Sequence, residues 1–423
     1  MKTEEKEGII ISNISQIFLS HVKKYEPLYS QEKPDAIVIE KGKIVAIGET
    51  TRIFSEYPRR DYTVIDCDEK NAVIPGFIDS HTHLVFAGDR SHELRMKIEG
   101  KSYEEITKAG GGIHYSVRAT RAATKDELKT LALQRLDEML LNGTTTIEAK
   151  SGYGLNQETE IKLLEVINEI NEVHPIDIIP TFLGCHIKPE DFVGNTYEYV
   201  EHMMAILPTI KNTKLAEFVD IWIDRGAFSV EEAKVFLSKA KELGFKLRVH
   251  ADEMENVGGA ILASNMNAMS ADHLIKAEAI SANAMAESDV VANLLPGTPF
   301  VLMSKEYANY RMFRDAGVTV ALSTDFNPNC YILNMQTIIG LGCYMMKMTP
   351  SEAVEAATYG GAKSLGIEDR VGILDIGMDA DIVILDVPTI DHIPYQFAGN
   401  HVKYVIKNGE IVVEKNRLIK KEK

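Results

Sequence analysis

The sequence predicts an α/β fold: a (β/α)8 TIM-type barrel carrying a small β-sandwich domain built from both chain termini. Three observations predict it. Between residues 73 and 323, β-rich runs alternate with helical segments, and eight such runs can be counted. Strands that alternate with helices make a parallel sheet, and eight of them suggest a closed barrel. Both ends of the chain read instead as short strands and turns, which the economical architecture gathers into one β-domain. The expected division is residues 1–70 and 367–423 for the two parts of that β-domain, with the barrel over 71–366.

Taken in order, residues 8–66 carry short strands, and residues 36–48 form two β-rich runs around a glycine turn, a hairpin signal. Residues 73–78 are apolar without polar alternation, as in a strand buried on both faces. Residues 124–141 read as a helix, with Thr124 as N-cap and Glu127 three residues on. Strands follow at 144–149, 176–182, 219–223, 245–250, 270–274, 289–295 and 318–323, with helices at 157–172 and 230–243 among the connections. Past Gly366 the β character returns at 381–385 and 404–412, the latter turning at Asn408-Gly409. The charged tail 420–423 is expected to fray.

With 423 residues, 45% apolar and 26% charged, the chain has ample material for a core. A formal charge of −16 argues against nucleic acid or an anionic membrane as partner, because either needs a basic face. Cys67, Cys185, Cys330 and Cys343 have no CxxC spacing and look like reduced thiols. The charged N-terminus lacks the apolar core of a signal peptide, and no apolar run reaches the length of a membrane span. A cytoplasmic protein is expected.

If the barrel is right, residues just past each strand converge on one mouth. His81 and His83 sit two apart on the first strand and face the same side. Lys150 follows the second strand and His186 the third; His250 ends the fifth, His273 lies in the sixth and Asp325 follows the eighth. One such histidine would ordinarily be a core residue, but five with an aspartate point to a mononuclear metal site. The best ligand set is His81, His83, His250 and Asp325. Neutral imidazole and carboxylate suit one divalent ion, zinc or iron, with a position left for water.

Pro75-Gly76-Phe77-Ile78-Asp79-Ser80-His81-Thr82-His83, with the later His250 and Ser323-Thr324-Asp325, resembles the amidohydrolase superfamily. Further segments narrow the resemblance: Phe86-Ala87-Gly88-Asp89-Arg90, Gly110-Gly111-Gly112-Ile113, Lys150-Ser151-Gly152-Tyr153-Gly154, His250-Ala251-Asp252-Glu253, Asp325-Phe326-Asn327-Pro328 and Pro394-Tyr395-Gln396-Phe397. Together they are similar to a branch that opens the ring of 4-imidazolone-5-propanoate in histidine degradation, and the similarity runs over nearly the whole chain. That resemblance implies a hydrolase of a cyclic amide C–N bond, one metal, a small anionic substrate and a homodimer.

Under that reading the metal lowers the pKa of its bound water and supplies the nucleophile, while Asp325 also orients that water. His273 is expected to polarise the carbonyl oxygen, and Glu253 to shuttle a proton to the departing ring nitrogen. Arg90 is the natural clamp for the substrate carboxylate, against the plainer alternative of a salt bridge with Glu93 or Asp89. The resemblance makes Tyr153, His186, Glu253 and Asn327 substrate contacts. It also expects a glycine and a small hydroxyl residue at the next two contact positions, where this chain has Asn329 and Cys330. Asn tolerates the left-handed conformation better than most non-glycines and Cys approximates Ser in size, so the loop is expected to survive this departure while its contacts change.

Lys150 is read as an ion-pairing residue, and Gly110-Gly111-Gly112 as a lid or an ordinary turn. His21, His174, His202, His392 and His401 are given no role. The rivals are a nucleobase deaminase or a hydantoin or dihydropyrimidine ring hydrolase on the same scaffold, and a non-catalytic protein that kept the fold.

Overall fold

The computed structural model describes residues 6–19, 33–101 and 103–419. Most of the charged N-terminus, His21 and the tail 420–423 lie outside the described residues. Strands β1 (Gly8–Ser12), β2 (Gln16–Ile17), β3 (Ala36–Glu40), β4 (Lys43–Gly48), β5 (Tyr62–Asp66) and β6 (Ala72–Pro75) precede the barrel. The barrel strands are β7 (Phe77–Thr82), β8 (Thr144–Lys150), β9 (Asp177–Cys185), β10 (Phe218–Ile223), β11 (Lys246–Ala251), β12 (Ser270–His273), β13 (Val291–Leu294) and β14 (Val320–Leu322). After it come β15 (Ile382–Leu385), β16 (Val402–Lys407), β17 (Glu410–Glu414) and β18 (Arg417–Leu418).

The eight barrel strands pair in parallel and in sequence order, as the alternation of strand and helix requires. The helices outside them start where the sequence provides caps. Thr124 with Glu127, Asn195 with Glu198, Ser229 with Glu232 and Thr349 with Glu352 each form a reciprocal capping box, satisfying two otherwise orphaned N–H groups.

One expectation is corrected at the entrance to the barrel. The apolar run from Val73 is two strands in two sheets, not one. β6 pairs with β2 and β15, and β7 begins the cylinder. Gly76 is the corner: its N–H donates to the Asp381 carbonyl, and a Cβ there would lie 2.2 Å from Thr145 Oγ1. No side chain fits, so the chain changes sheets at the one residue that has none. Both halves are apolar because both are buried, which is why periodicity alone could not part them.

The two remaining sheets form the β-sandwich. The four-stranded one runs β4-β3-β1-β5, and the six-stranded one β18-β17-β16-β15-β6-β2, so the second mixes strands from both ends of the chain. They share an apolar core in which Ile9, Ile11 and Ile39 meet Ile382, Ile384 and Ile406. The predicted hairpins are present, β3–β4 turning at Lys41-Gly42 and β16–β17 at Asn408-Gly409.

The barrel closes beyond the end of β14. Asp325 N–H donates to the His81 carbonyl at 3.1 Å, and His83 N–H donates to the Phe326 carbonyl at 2.7 Å. Below them the side chains continue the seam. Ser80 N–H reaches Ser323 Oγ at 3.1 Å, and the Thr324 N–H and hydroxyl donate to the Asp79 carboxylate at 3.0 and 2.6 Å. Removing that hydroxyl in Thr324→Val should destabilise the protein by about 1–3 kcal/mol, because a buried carboxylate loses a partner. Urea unfolding measures this; an unchanged midpoint would show that the backbone bonds alone hold the seam.

Candidate metal centre and active site

The strands deliver their terminal side chains to one rim. Donor atoms of His81, His83 and His250 lie within 4.8 Å of one another, as do those of His81, His273 and Asp325. Asp325 Oδ1 stands 3.5 Å from His81 Nε2 and 3.6 Å from His83 Nε2. The His81 and His250 rings are 4.5 Å apart between centroids. All five side chains are buried.

Burial holds His81, His83 and His273 well below the usual imidazole range, so each is neutral and can offer a lone pair. His81 Nε2 and His250 Nε2 are buried without a hydrogen-bond partner among the described residues. Orphaned imidazole nitrogens, that of His81 lying 3.5 Å from Asp325 Oδ1, are what a cation site leaves when its protein donors alone are considered.

Behind both histidines stands a buried carboxylate. His81 Nδ1 meets Asp272 Oδ2 at 2.6 Å, and His250 Nδ1 lies 2.9 Å from Asp220 Oδ2. A carboxylate behind a histidine sets its tautomer and leaves the opposite nitrogen for a metal. Asp325 is oriented the same way, its second oxygen accepting from the Thr298 hydroxyl.

Beneath lies a buried charge network. Lys150 Nζ donates to Glu148 at 2.7 Å and to Asp220 at 2.8 Å, and Arg248 donates to Asp272 at 3.1 Å and to the Ser80 carbonyl at 2.8 Å. Burial would push the Asp220 carboxyl up, but His250 and Lys150 outweigh it and hold it well below the usual range. Burial alone would discharge Lys150, yet the carboxylates of Asp220 and Glu148 keep it charged. Four carboxylates (Glu148, Asp220, Asp272, Asp325) against Lys150 and Arg248 leave a formal charge of −2 by subtraction, which one divalent cation neutralises. The residues present fit such an ion.

Lys150 is thus the ion-pairing residue its position suggested. Asp220, Asp272, Glu148, Arg248 and Thr298 went unread in the sequence. The signal available was a charged residue inside an apolar strand, as in Phe218-Val219-Asp220-Ile221-Trp222-Ile223.

Three residues at this rim hold left-handed backbone: Asp252 (φ 51°), His273 (φ 75°) and Asp325 (φ 49°). Such conformations cost energy in non-glycine residues and persist where surrounding bonds impose them. Around Glu253 those bonds are explicit. Asp224 accepts the N–H groups of Glu253, Met254 and Glu255, and Asp252 accepts those of Val257, Gly258, Gly259 and Ala260. Glu253 Oε1 is thereby held 3.7 Å from His273 Nδ1. Burial, then the charges of Asp325 and Asp224, push the Glu253 carboxyl well above the usual range, so it can carry a proton near neutrality.

Tyr153 and His186 do join the site. His186 stacks on His83 at 5.0 Å, Tyr153 meets both rings edge-on at 5.5 Å, and His186 Nδ1 pairs with the Gly152 carbonyl at 3.0 Å.

Arg90 makes the salt bridge named beside its clamp role: its Nε and Nη2 donate to the two oxygens of the buried Glu93 carboxylate, each at 2.8 Å. Glu93 also accepts the Gly112 N–H at 2.7 Å. The Gly110-Gly111-Gly112 stretch is therefore anchored on the Arg90–Glu93 pair and leads into the helix Gly112–Ala122.

In the loop after Asp325, Asn327 turns its carboxamide inward: Nδ2 donates to the Asp325 carbonyl, and Oδ1 accepts from the N–H groups of Asn329 and Cys330. Cys330 is fully buried, burial keeps its thiol protonated, and Sγ lies 3.5 Å from the Thr324 carbonyl. It packs beneath the loop. Asn329 does not use left-handed backbone, so the expected reason for tolerating it was wrong; its side chain points outward and accepts from Lys97.

The chain belongs to the amidohydrolase family, whose sequence model matches residues 72–412. Solved structures of the same architecture include a zinc-bound adenosine deaminase from Xanthomonas campestris (TM-score 0.73, 17% identity, 99% of this chain and 95% of that one) and a triazine hydrolase variant (TM-score 0.74, 17% identity, 99% and 97%). Relatives that match nearly the whole chain include imidazolonepropionases. Those of Streptococcus gordonii (42% identity over 97% of this chain and 99% of the relative), Clostridium tetani (42%, 97% and 100%) and Alkaliphilus metalliredigens (44%, 90% and 91%) are examples.

Replacing Asp220 with Asn should weaken divalent-metal affinity about 10- to 100-fold while leaving the fold intact, because the support behind His250 is lost. Competition with a coloured chelator reads the affinity, and circular dichroism the fold; unchanged affinity would place the ion elsewhere.

Proposed function

We propose that this protein hydrolyses 4-imidazolone-5-propanoate to N-formimidoyl-L-glutamate, cleaving the cyclic amide C–N bond with the help of one divalent metal ion, zinc or iron. What carries the reading is the meeting of His81, His83, His250 and Asp325 with Glu253 and His273 at one rim, in a chain whose relatives over nearly its whole length include imidazolonepropionases. His81, His83, His250 and Asp325 would hold the ion. When bound, it would acidify a water to near-neutral pKa and polarise the carbonyl.

The rest falls to the side chains. Asp325, fixed through Thr298, has one oxygen directed at the histidines and can accept a hydrogen bond from the attacking water. His273 supports the oxygen that gains charge as water adds to the ring carbonyl. Glu253 takes up the proton released by that addition and returns it to the ring nitrogen as the C–N bond breaks, leaving a carboxylate and the formimidoyl amine. Tyr153 and His186 flank the ring, and Arg90, Asn327, Asn329 and Cys330 shape the side on which the propanoate enters.

We assign the barrel from Phe77 to about residue 366 to catalysis and the sandwich on either side of it to support. The protein is further proposed to act as a cytoplasmic homodimer; its cysteines are free thiols, and no described helix is long and apolar enough to cross a membrane.

Incubation with freshly generated 4-imidazolone-5-propanoate, followed by its ultraviolet absorbance and by mass, tests the reaction. Glu253→Gln should lower kcat about 10²- to 10⁴-fold with metal content unchanged. Full activity in that variant would remove Glu253 from proton transfer, and no turnover by the wild type would overturn the function.

A further inference from the structure

An acidic protein that binds an anion must present a cation not already matched by a carboxylate. Two cavities lie among the loops beyond the barrel strands. One of about 990 Å³ is bordered by Asp89, Arg90, Lys97, Asn329 and Tyr331, and one of about 410 Å³ by Lys97, Lys101, Glu253 and Lys276. Lys97 borders both, and so shares a wall with the proposed proton shuttle.

The cations around these cavities differ in what faces them. Arg90 is forked onto Glu93, Lys276 is paired with Glu306, and Lys101 lies 3.7 Å from Glu105. Lys97 Nζ instead donates to a neutral amide oxygen, Asn329 Oδ1, at 2.5 Å. Lys97 is half-buried on the helix Glu93–Ile98, one turn past Glu93. Asp89, the remaining acid at the larger cavity, accepts from the Ser91 N–H and hydroxyl. Burial and the nearby Arg90 draw the Lys97 ammonium below its ordinary range despite the opposing charge of Glu93, which Arg90 already forks, and an incoming carboxylate relieves that state. Asn329 is held in turn, its N–H donating to Asn327 Oδ1 at 2.8 Å in the loop that begins at Asp325.

We propose that Lys97, aimed by Asn329, receives the propanoate carboxylate of the substrate, so that this pair sets the chain's preference for an anionic ring. The inference rests on the imidazolone reading. Lys97 is a binding residue, and Asn329 a positioning residue that offers Lys97 a hydrogen bond without cancelling its charge.

The test compares Lys97→Gln with the wild type, using turnover of 4-imidazolone-5-propanoate and competition by imidazole-4-propanoate and imidazole-4-propanamide. Losing one charge-assisted hydrogen bond should raise KM and the inhibition constant of the propanoate about 10- to 100-fold, with kcat and propanamide binding little changed. Lys97→Arg, which keeps the charge, should recover most of the affinity. Asn329→Asp, which sets a carboxylate against Lys97, should raise KM more than Asn329→Gly does. Propanoate affinity in Lys97→Gln within about twofold of wild type, or an equal loss for the propanamide, would overturn the proposal. A wild type that turns nothing over would overturn the function instead, and direct binding of the propanoate and the propanamide, measured by titration calorimetry, would still decide the role of Lys97.

Discussion

The seam that closes the barrel is the constraint on which the site depends. Its two rim hydrogen bonds are made by the backbones of the candidate ligands: Asp325 donates to His81, and His83 donates across to Phe326. Closing the cylinder and assembling three of the four donors are therefore one event. A slip of register by one residue along this edge would turn His81 and His83 away from Asp325, since alternate side chains face opposite sides. Asp79–Thr324 and Ser80–Ser323 exclude that slip from below, because each pair satisfies buried polar atoms in a single register.

Charge explains why the interior tolerates so many ionisable groups. Lys150 and Arg248 would be prohibitive in an apolar barrel, and so would Glu148, Asp220 and Asp272; together they satisfy one another and then hold His81 and His250 from behind. Arg248 also ties the wall outward, its Nη1 donating to Ser364 in the helix Gly361–Leu365. The network leaves a surplus of negative charge beneath the rim, so a cation is part of the electrostatic balance of the folded state as well as of the chemistry.

Much of this was legible in the sequence. The eight-strand alternation, the hairpins, the capping box at Thr124 and the convergence of His81, His83, His250 and Asp325 on one rim could all be read, because strand-end histidines and helix starts are local signals. What could not be read depends on partners distant along the chain. The corner at Gly76 is set by Thr145, which occupies the place of a Cβ. For Arg90 the sequence offered both a substrate clamp and a salt bridge with Glu93, and a fork that suits any carboxylate cannot choose between them locally; the structure shows the Glu93 pair. Asn329 looked like a backbone concession to the left-handed region, whereas its role lies in the side chain and in a lysine more than two hundred positions earlier.

The site thus divides into two layers with different physical requirements. The donors and the carboxylates behind them sit on strands, where cross-strand bonds hold them, as metal coordination demands. Arg90, Lys97 and Asn329 sit on the first connection out of the barrel and on the loop after its last strand, both anchored at the same seam. Those segments carry their polar groups outside the barrel wall, where a substitution alters what is recognised without disturbing the buried charge balance. An architecture shared at 17% identity with a deaminase and a triazine hydrolase is consistent with that division, since the wall can be kept while the segments above it change. Under the proposed reading, specificity for an anion in a chain of net charge −16 rests on these few outer residues. Among them, a cation whose partner is a neutral amide has more to gain from a carboxylate than one already paired with an acid.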